Sequence, residues 1–410
     1  MGLRPAPAAR RLSSVALVAC TLAIALSGCG GQAAHHRHGR VAASSGTGAV
    51  AAPPALGFPE IATKNTTRIA SSDPVVVAAA VALAVFPSAA PGTHPTAVTL
   101  APTDDWQAAI AAASLMGRPF RAPILLSTPG SLPAATADAL AELSPTGARR
   151  LGHAQLVRIG DVPAPAGLRT IDVRGSNPYA LAAGIDRLEA RRRHRYAHGV
   201  VIASAQYPKY AMPAAGYAAE SGEPVLFVNS SGVPRATARA LEAHHHPHIF
   251  VLGPPDVIPD SVLTELAQYG TVARVGAGDP ASNSVAFTEY RDPPCPYGQA
   301  CVHVPGSYGW AIRSPGHGYV LIDASNTLDA AAAAALSGSG SYGPQLLVVD
   351  PNTLPESVLS YFLNFATPGY TGEGPTAAVY NHAWLIGDTG EISAAVQAQV
   401  DSLLEAVPQQ

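Results

Sequence analysis

The chain writes one α/β unit three times, and this repetition limits its fold more than any other feature. Four landmarks recur in the same order. The first is an arginine, a turn of small residues, Asp or Asn before Pro, and an Ala-rich stretch. It reads Arg68-Ile-Ala-Ser-Ser-Asp73-Pro74, Arg174-Gly-Ser-Asn177-Pro178 and Arg274-Val-Gly-Ala-Gly-Asp279-Pro280. Asp or Asn can cap a helix and Pro suits its first turn, so each copy predicts a helix start. The second landmark is an apolar strand (Ala97–Ala101, Gly199–Ala203, Gly318–Ile322) leading into an Ala-rich helix. The third is another apolar strand (Ala122–Leu126, Glu223–Phe227, Pro344–Val348) followed by Pro and a helix: Ala134–Leu143, Arg235–Ala243 and Glu356–Phe365. The fourth is a strand that opens on His153, His248 or His382 and ends in Ile-Gly or Leu-Gly. A final helix follows it in the last two copies, over Ile258–Gln268 and Ile392–Ala406. Short continuous apolar runs fit strands covered on both faces. Strand–helix alternation implies parallel sheets with right-handed crossovers. The expectation is an α/β chain of three tandem repeats over residues 61–170, 171–270 and 271–410, arranged as a line or a pseudo-threefold ring.

Ahead of the repeats stands an export signal. Arg4, Arg10 and Arg11 precede an apolar run from Val15 to Leu26, which is too short for a membrane span and ends in small residues. Leu26-Ser27-Gly28-Cys29 resembles the bacterial lipobox, which would make residues 1–28 a lipoprotein signal peptide and Cys29 the lipid-bearing N-terminus. Residues 29–60, rich in Ala, Gly, Ser and Pro, then read as a disordered tether to the membrane. Loss of the signal leaves 22 of the 25 basic residues against 28 acidic ones, a formal charge of −6. That balance disfavours a general nucleic-acid binder. Cys20 leaves with the signal. In an oxidising exported setting, Cys295 and Cys301 are expected to close a small disulfide loop in the third copy, and no second cysteine pair completes a zinc site.

The wording of the repeats adds a family likeness. Asn65-Thr-Thr-Arg68-Ile-Ala, Asp105-Trp106-Gln-Ala-Ala-Ile, and Ala122-Pro-Ile-Leu-Leu-Ser with Ser131-Leu-Pro-Ala-Ala-Thr carry it, together with the Ile-Gly strand end. On these residues the chain resembles the cell wall-binding repeat 2 family of Gram-positive bacteria, from roughly Ile61 to the C-terminus. The resemblance implies three Rossmann-like repeats in a triangular pseudo-trimer. It also implies non-covalent attachment to anionic wall polymers, without cofactor or chemistry. The chain departs from the family where polar signatures are concerned. Of the aromatic-x-Asp-Ala-Leu segment the aspartate survives only as Asp329; Ala108 and Lys209 stand at that place in the first two copies.

Candidate ligand-binding residues follow from these patterns. Arg68, Arg174 and Arg274 sit beside helix starts, where a guanidinium fork and helix amides suit an anion; the alternative is that each is a structural tie. Trp106 and Tyr207, with Leu328 in the third copy, begin the loop after the first strand, where α/β sheets place ligands. Either ring can stack on a sugar or fill the space between copies. His153, His248 and His382 would meet only if the copies form a ring, and descent by repetition explains them without a metal. His244-His-His246 is expected to be a solvated cluster, and Arg191-Arg-Arg193-His-Arg195 an exposed helix end and the best basic patch for a polyanion. The sequence contains no nucleophile elbow, no phosphate-binding Gly-rich loop ending in Lys-Ser/Thr and no His-Glu-x-x-His. The expected function is therefore a non-catalytic envelope lipoprotein that binds an anionic wall glycopolymer and bridges membrane and wall. The alternatives are a solute-binding lipoprotein of a transporter and, behind it, an envelope hydrolase.

Overall fold

The computed structural model describes residues 61–293, 308–340, 342–370 and 379–408. Cys29, the signal, the tether and the Cys295–Cys301 loop lie outside the described residues. Fifteen strands, thirteen α-helices and two short 3-10 helices, Ala113–Met116 and Arg149–Leu151, are described. The first stretch carries β1 (Ile61–Ala62), β2 (Thr66–Ile69), α1 (Pro74–Val85), β3 (Val98–Pro102), α2 (Trp106–Ala112), β4 (Ile124–Ser127), α3 (Ala134–Leu143), β5 (Leu156–Ile159) and β6 (Thr170–Val173). The second carries α4 (Pro178–Arg193), β7 (Gly199–Ser204), α5 (Pro208–Ala211), α6 (Pro213–Ser221), β8 (Val225–Val228), α7 (Arg235–Ala243), β9 (His248–Val251), α8 (Asp260–Leu266) and β10 (Thr271–Arg274). The third carries α9 (Pro280–Glu289), β11 (Gly318–Asp323), α10 (Leu328–Ala332), α11 (Ala334–Ser337), β12 (Tyr342–Val348), α12 (Glu356–Asn364), β13 (Gly369–Tyr370), β14 (His382–Ile386), α13 (Ala394–Leu403) and β15 (Val407–Pro408).

These strands form three parallel sheets of like order: β4-β3-β5-β6, β8-β7-β9-β10 and β12-β11-β14-β2. β1 adds an antiparallel edge to the third, and β13 pairs with β15 separately. The chain is thus α/β, with three strand–helix units, as the alternation predicts. Each sheet has a fourth strand that the sequence reading missed. Thr66–Ile69, Thr170–Val173 and Thr271–Arg274 are short and half polar, and they merge with the Asp/Asn-Pro turn that follows them.

That fourth strand links one unit to the next. β6 ends the first sheet, and the helix after it, α4, lies on β8 and α7 of the second. β10 ends the second sheet, and α9 lies on β12 and α12 of the third. β2 ends the third sheet, and α1 lies on β4 and α3 of the first. The strand at the start of the described chain therefore completes the last sheet, with Arg68 opposite Leu385.

The faces of the sheets explain the composition. Val98, Leu100, Leu125 and Leu156 turn to one side of the first sheet, while Ile124, Leu126, Val157 and Ile159 turn to a core shared with the other two. In that shared core α2, α6 and α10 each touch the other two. The buried stretches in and beside these helices, 108–113, 214–219 and 330–335, are alanine except at Ile110, Gly216 and Tyr217. Small side chains let backbones approach closely, and dispersion then replaces bulk as the source of contact energy. Beside these helices the backbones themselves meet at Gly117, where a Cβ would lie 2.4 Å from Gly222 Cα.

Gly117 has φ −62° and ψ 156°, dihedrals open to any residue. Gly117→Ala is therefore expected to destabilise through the contact alone, by about 1–3 kcal/mol in urea unfolding. An unchanged midpoint would mean that the two backbones do not meet in solution.

Candidate functional site

Register shows that the three marked arginines are not equivalent. Arg68 and Arg274 stand opposite Leu385 and Val251, each two residues before a strand-end glycine, Gly387 or Gly253. The matching position in the first sheet is Asp172, opposite Arg158, two residues before Gly160. There the arginine has crossed to the partner strand.

All three in-register arginines do the same work. Fully buried Arg68 donates Nε to Gln397 Oε1 at 2.9 Å and Nη1 to the carbonyls of Gly387 and Asp388 at 2.7 and 2.9 Å. Arg274 donates to the Gly253 and Ile258 carbonyls at 2.6 and 2.8 Å and to Asp260 at 2.7 Å. Arg158 donates to Val162 and Pro163 carbonyls and to Asp172. Each guanidinium grips the loop that leaves the third strand. Arg174 is different: its side chain is 73% exposed, and its ion pair, at 3.3 Å, is with Asp172.

The remaining candidates also separate. Asp73, Asn177 and Asp279 accept from Val75, Ala180 and Ser282 amides at 2.8–2.9 Å and serve as helix caps. Trp106 meets Phe227 of the second unit edge-on at 5.7 Å, and so fills the space between units. Tyr207 is 43% exposed beside Tyr210. Asp329 is fully buried, and neither carboxylate oxygen has a hydrogen-bond partner. Burial first, then the charges of Glu391, Asp323 and Asp73, push its carboxyl up to about 8. His153 and His248 are exposed, whereas His382 bonds Thr67 Oγ1 at 2.9 Å. Among the described residues, no group of three His, Cys, Asp or Glu can hold a metal ion.

Two basic segments require correction. His244 is no part of a solvated cluster: its ring is buried, and it pairs with Asp186 and the Ala197 carbonyl. Arg193 is no exposed helix end either, because it turns inward to Glu189 and to the Gly222 carbonyl at 2.8 Å. Sequence periodicity on α4 carries the signal for both, since residues 186, 189 and 193 share one helical face.

The opposite face of α4 forms a site. Arg187, Leu188, Arg191 and Arg192 line a groove of ≈ 460 Å³ against β6, with Asp172 and Arg174 on its other wall. Gly184 lets helix and strand close up, because a Cβ there would lie 2.9 Å from Val173 Cγ1. Arg191 and Arg192 suit the negative end of the helix dipole, but Arg187 and Arg191 repel one another at i and i+4. Among the described residues no carboxylate lies within ion-pair distance of Arg187, Arg191 or Arg192. Asp172 is already shared by Arg158 and Arg174, at 2.9 and 3.3 Å, so the groove keeps an excess of positive charge. The arginine triad drew attention to Arg174; the groove joins it to the α4 arginines instead of to Arg68 and Arg274.

The arginines should separate in stability as they do in geometry. Arg68→Ala leaves buried acceptors unpaired and is expected to cost about 3–5 kcal/mol. Arg174→Ala is expected to stay within about 0.5 kcal/mol of wild type. Denaturant titration of the two variants checks this, and equal losses would contradict the register.

No protein-family model matches the chain, and no curated protein does. Among solved structures, the fold is similar to that of Cwp6 from Clostridium difficile, with a TM-score of 0.63 and 13% identity over 83% of this chain and 48% of that one. It is similar also to that of Cwp8 from Clostridium difficile, with a TM-score of 0.61 and 15% identity over 83% of this chain and 52% of that one. This chain spans about half the length of each neighbour. At these identities the likeness is one of fold.

Proposed function

We propose that this chain is a non-catalytic lipoprotein of the cell envelope that holds an anionic wall polymer in the groove of Arg174, Arg187, Arg191 and Arg192. The observation that carries the reading is this concentration of guanidinium groups, of which only Arg174 has a carboxylate partner among the described residues, in a protein with acid in excess. A guanidinium fork bonds phosphate or carboxylate oxygens in pairs, and several in a row suit a repeating polyanion better than a single small ion. The two structural neighbours are cell wall proteins of Clostridium difficile, which agrees with a role at the wall. The mutual contact of α2, α6 and α10 supports a pseudo-threefold arrangement of the repeats, bounded near residues 61–170, 171–270 and 271–410. In this reading Cys29 carries the lipid, the tether spans to the folded part, and Cys295 and Cys301 pair. Membrane and wall are thereby bridged.

The test uses soluble protein that begins at Gly30 and isolated cell walls. Wild type is expected to be retained at physiological salt and released near 1 M, where charge screening is nearly complete. Changing Arg174, Arg187, Arg191 and Arg192 together to Gln should weaken retention about thirtyfold, from roughly 0.5 kcal/mol for each exposed pair. Full retention of a folded quadruple variant would remove the groove from the reading.

A further inference from the structure

The helix that carries the groove has a second polar face, and that face is buried. Asp186 and Glu189 are each 3% exposed. His244, just after α7, places Nε2 at 3.0–3.1 Å from both Asp186 oxygens and Nδ1 at 2.9 Å from the Ala197 carbonyl. A carbonyl only accepts, and so does an ionised carboxylate. Both ring nitrogens must then carry hydrogen, or Asp186 must; either way the pair stores one proton beyond a neutral imidazole and a carboxylate. Arg193, one helical turn on, meets Glu189 at 3.2 Å and the Gly222 carbonyl at 2.8 Å. Next along the chain, Glu223 is packed over Gly199, and its Oε2 is buried without a hydrogen-bond partner.

We propose that α4 is a proton-responsive element, in which the buried Asp186–His244–Glu223–Glu189–Arg193 network sets how tightly the arginine groove on the opposite face holds a polyanion. This rests on the groove reading given above and adds its regulation.

The groups around the network come from several elements. Glu189 is faced by Arg193 and Asp186 of α4 and by Ser114, after α2. Glu223 is faced by Tyr217 of α6, by Arg193 and by His244. Tyr308 also feels the Glu223 charge. The Tyr196 ring lies 4.7 Å from that of His244. Burial pushes Glu189 up to about 8 against the pull of Arg193, and pushes Glu223 up to about 7 against Tyr217, Arg193 and His244. Burial lowers His244, but the hydrogen bond and charge of Asp186, with Ala197 and Glu223, bring it out above its ordinary value.

All three groups shift in the same direction. Near pH 6, Glu189 and Glu223 are neutral; near pH 8.5 Glu223 and most of Glu189 are ionised. The network then loses the two carboxyl protons, and becomes two charges more negative, within one helix width of the groove. That width is about 10 Å. The sign for stability is the same. The folded state holds more protons than the unfolded chain from the ordinary carboxyl range up to about pH 8. Stability is therefore lost as pH rises through that window.

The experiment compares wild type with the Glu189→Gln/Glu223→Gln double variant, whose amides imitate the protonated acids. Dextran sulfate is the probe, because its charge is constant across the range. Wild type is expected to bind it about fourfold more weakly at pH 8.5 than at pH 6, the effect of two charges at about 10 Å under water-like screening. The double variant should change by less than about twofold, which also separates the network from exposed histidines such as His194 and His198. In parallel, the melting temperature of the wild type, without probe, should fall across the same range more steeply than that of the variant. Equal wild-type affinity at both pH values, or the same fall in the variant, overturns the proposal. Absence of binding at both values overturns the groove reading and this coupling with it; the melting curves then show whether the proton network itself also fails.

Discussion

Everything in this structure depends on how closely three alanine-lined helices can approach one another. α2, α6 and α10 come from three different units, yet each touches the other two, and the buried stretches in and beside them are mostly alanine. A leucine at such positions would force the sheets apart, since well-packed interiors do not absorb extra methylenes without strain. The glycines at the same junctions, Gly117 against Gly222 and Gly338 against the Ala219 carbonyl, extend the rule from side chain to backbone. The alanine content, which on the page looks like a bias of coding, has a packing reason.

The second organising device is the arginine that clasps the loop after the third strand. Strand ends in α/β sheets face outward, and their carbonyls need donors. Arg68 and Arg158, both buried, and half-buried Arg274 supply them at register-matched places in the three sheets. The first sheet solves the problem from the other strand, with Asp172 completing the pair. This swap has a consequence for the surface. Arg174 is no longer needed for the clasp, and β6, with no helix after β5 to cover it, faces α4 across an open groove. Function in our reading enters where the repeat is least regular.

α4 also shows how one helix can serve two environments. Its inner polar residues are held by charge and hydrogen bonding in a dry junction, where a proton is the least expensive way to satisfy a carboxylate. Its outer arginines meet water and have no partner among the described residues. The second half of the helix is thus polar on two faces, a pattern that usually marks an exposed element and here marks a junction.

The sequence by itself determined the α/β class, the three units, and most helices to within a residue or two: Ala134–Leu143 and Arg235–Ala243 agree at both ends. Capping residues, prolines and apolar runs act over a few neighbours, so they can be read locally. Only the tertiary structure decided that Thr66–Ile69 belongs to the last sheet, that Arg158 replaces Arg174 in the clasp, and that His244 and Arg193 turn inward. Each of these depends on pairing register or on which helix face meets a distant segment, and neither is encoded within a short window. The groove was half legible for the same reason: its α4 arginines stand together in the sequence, while the wall that turns them into a site comes from folding.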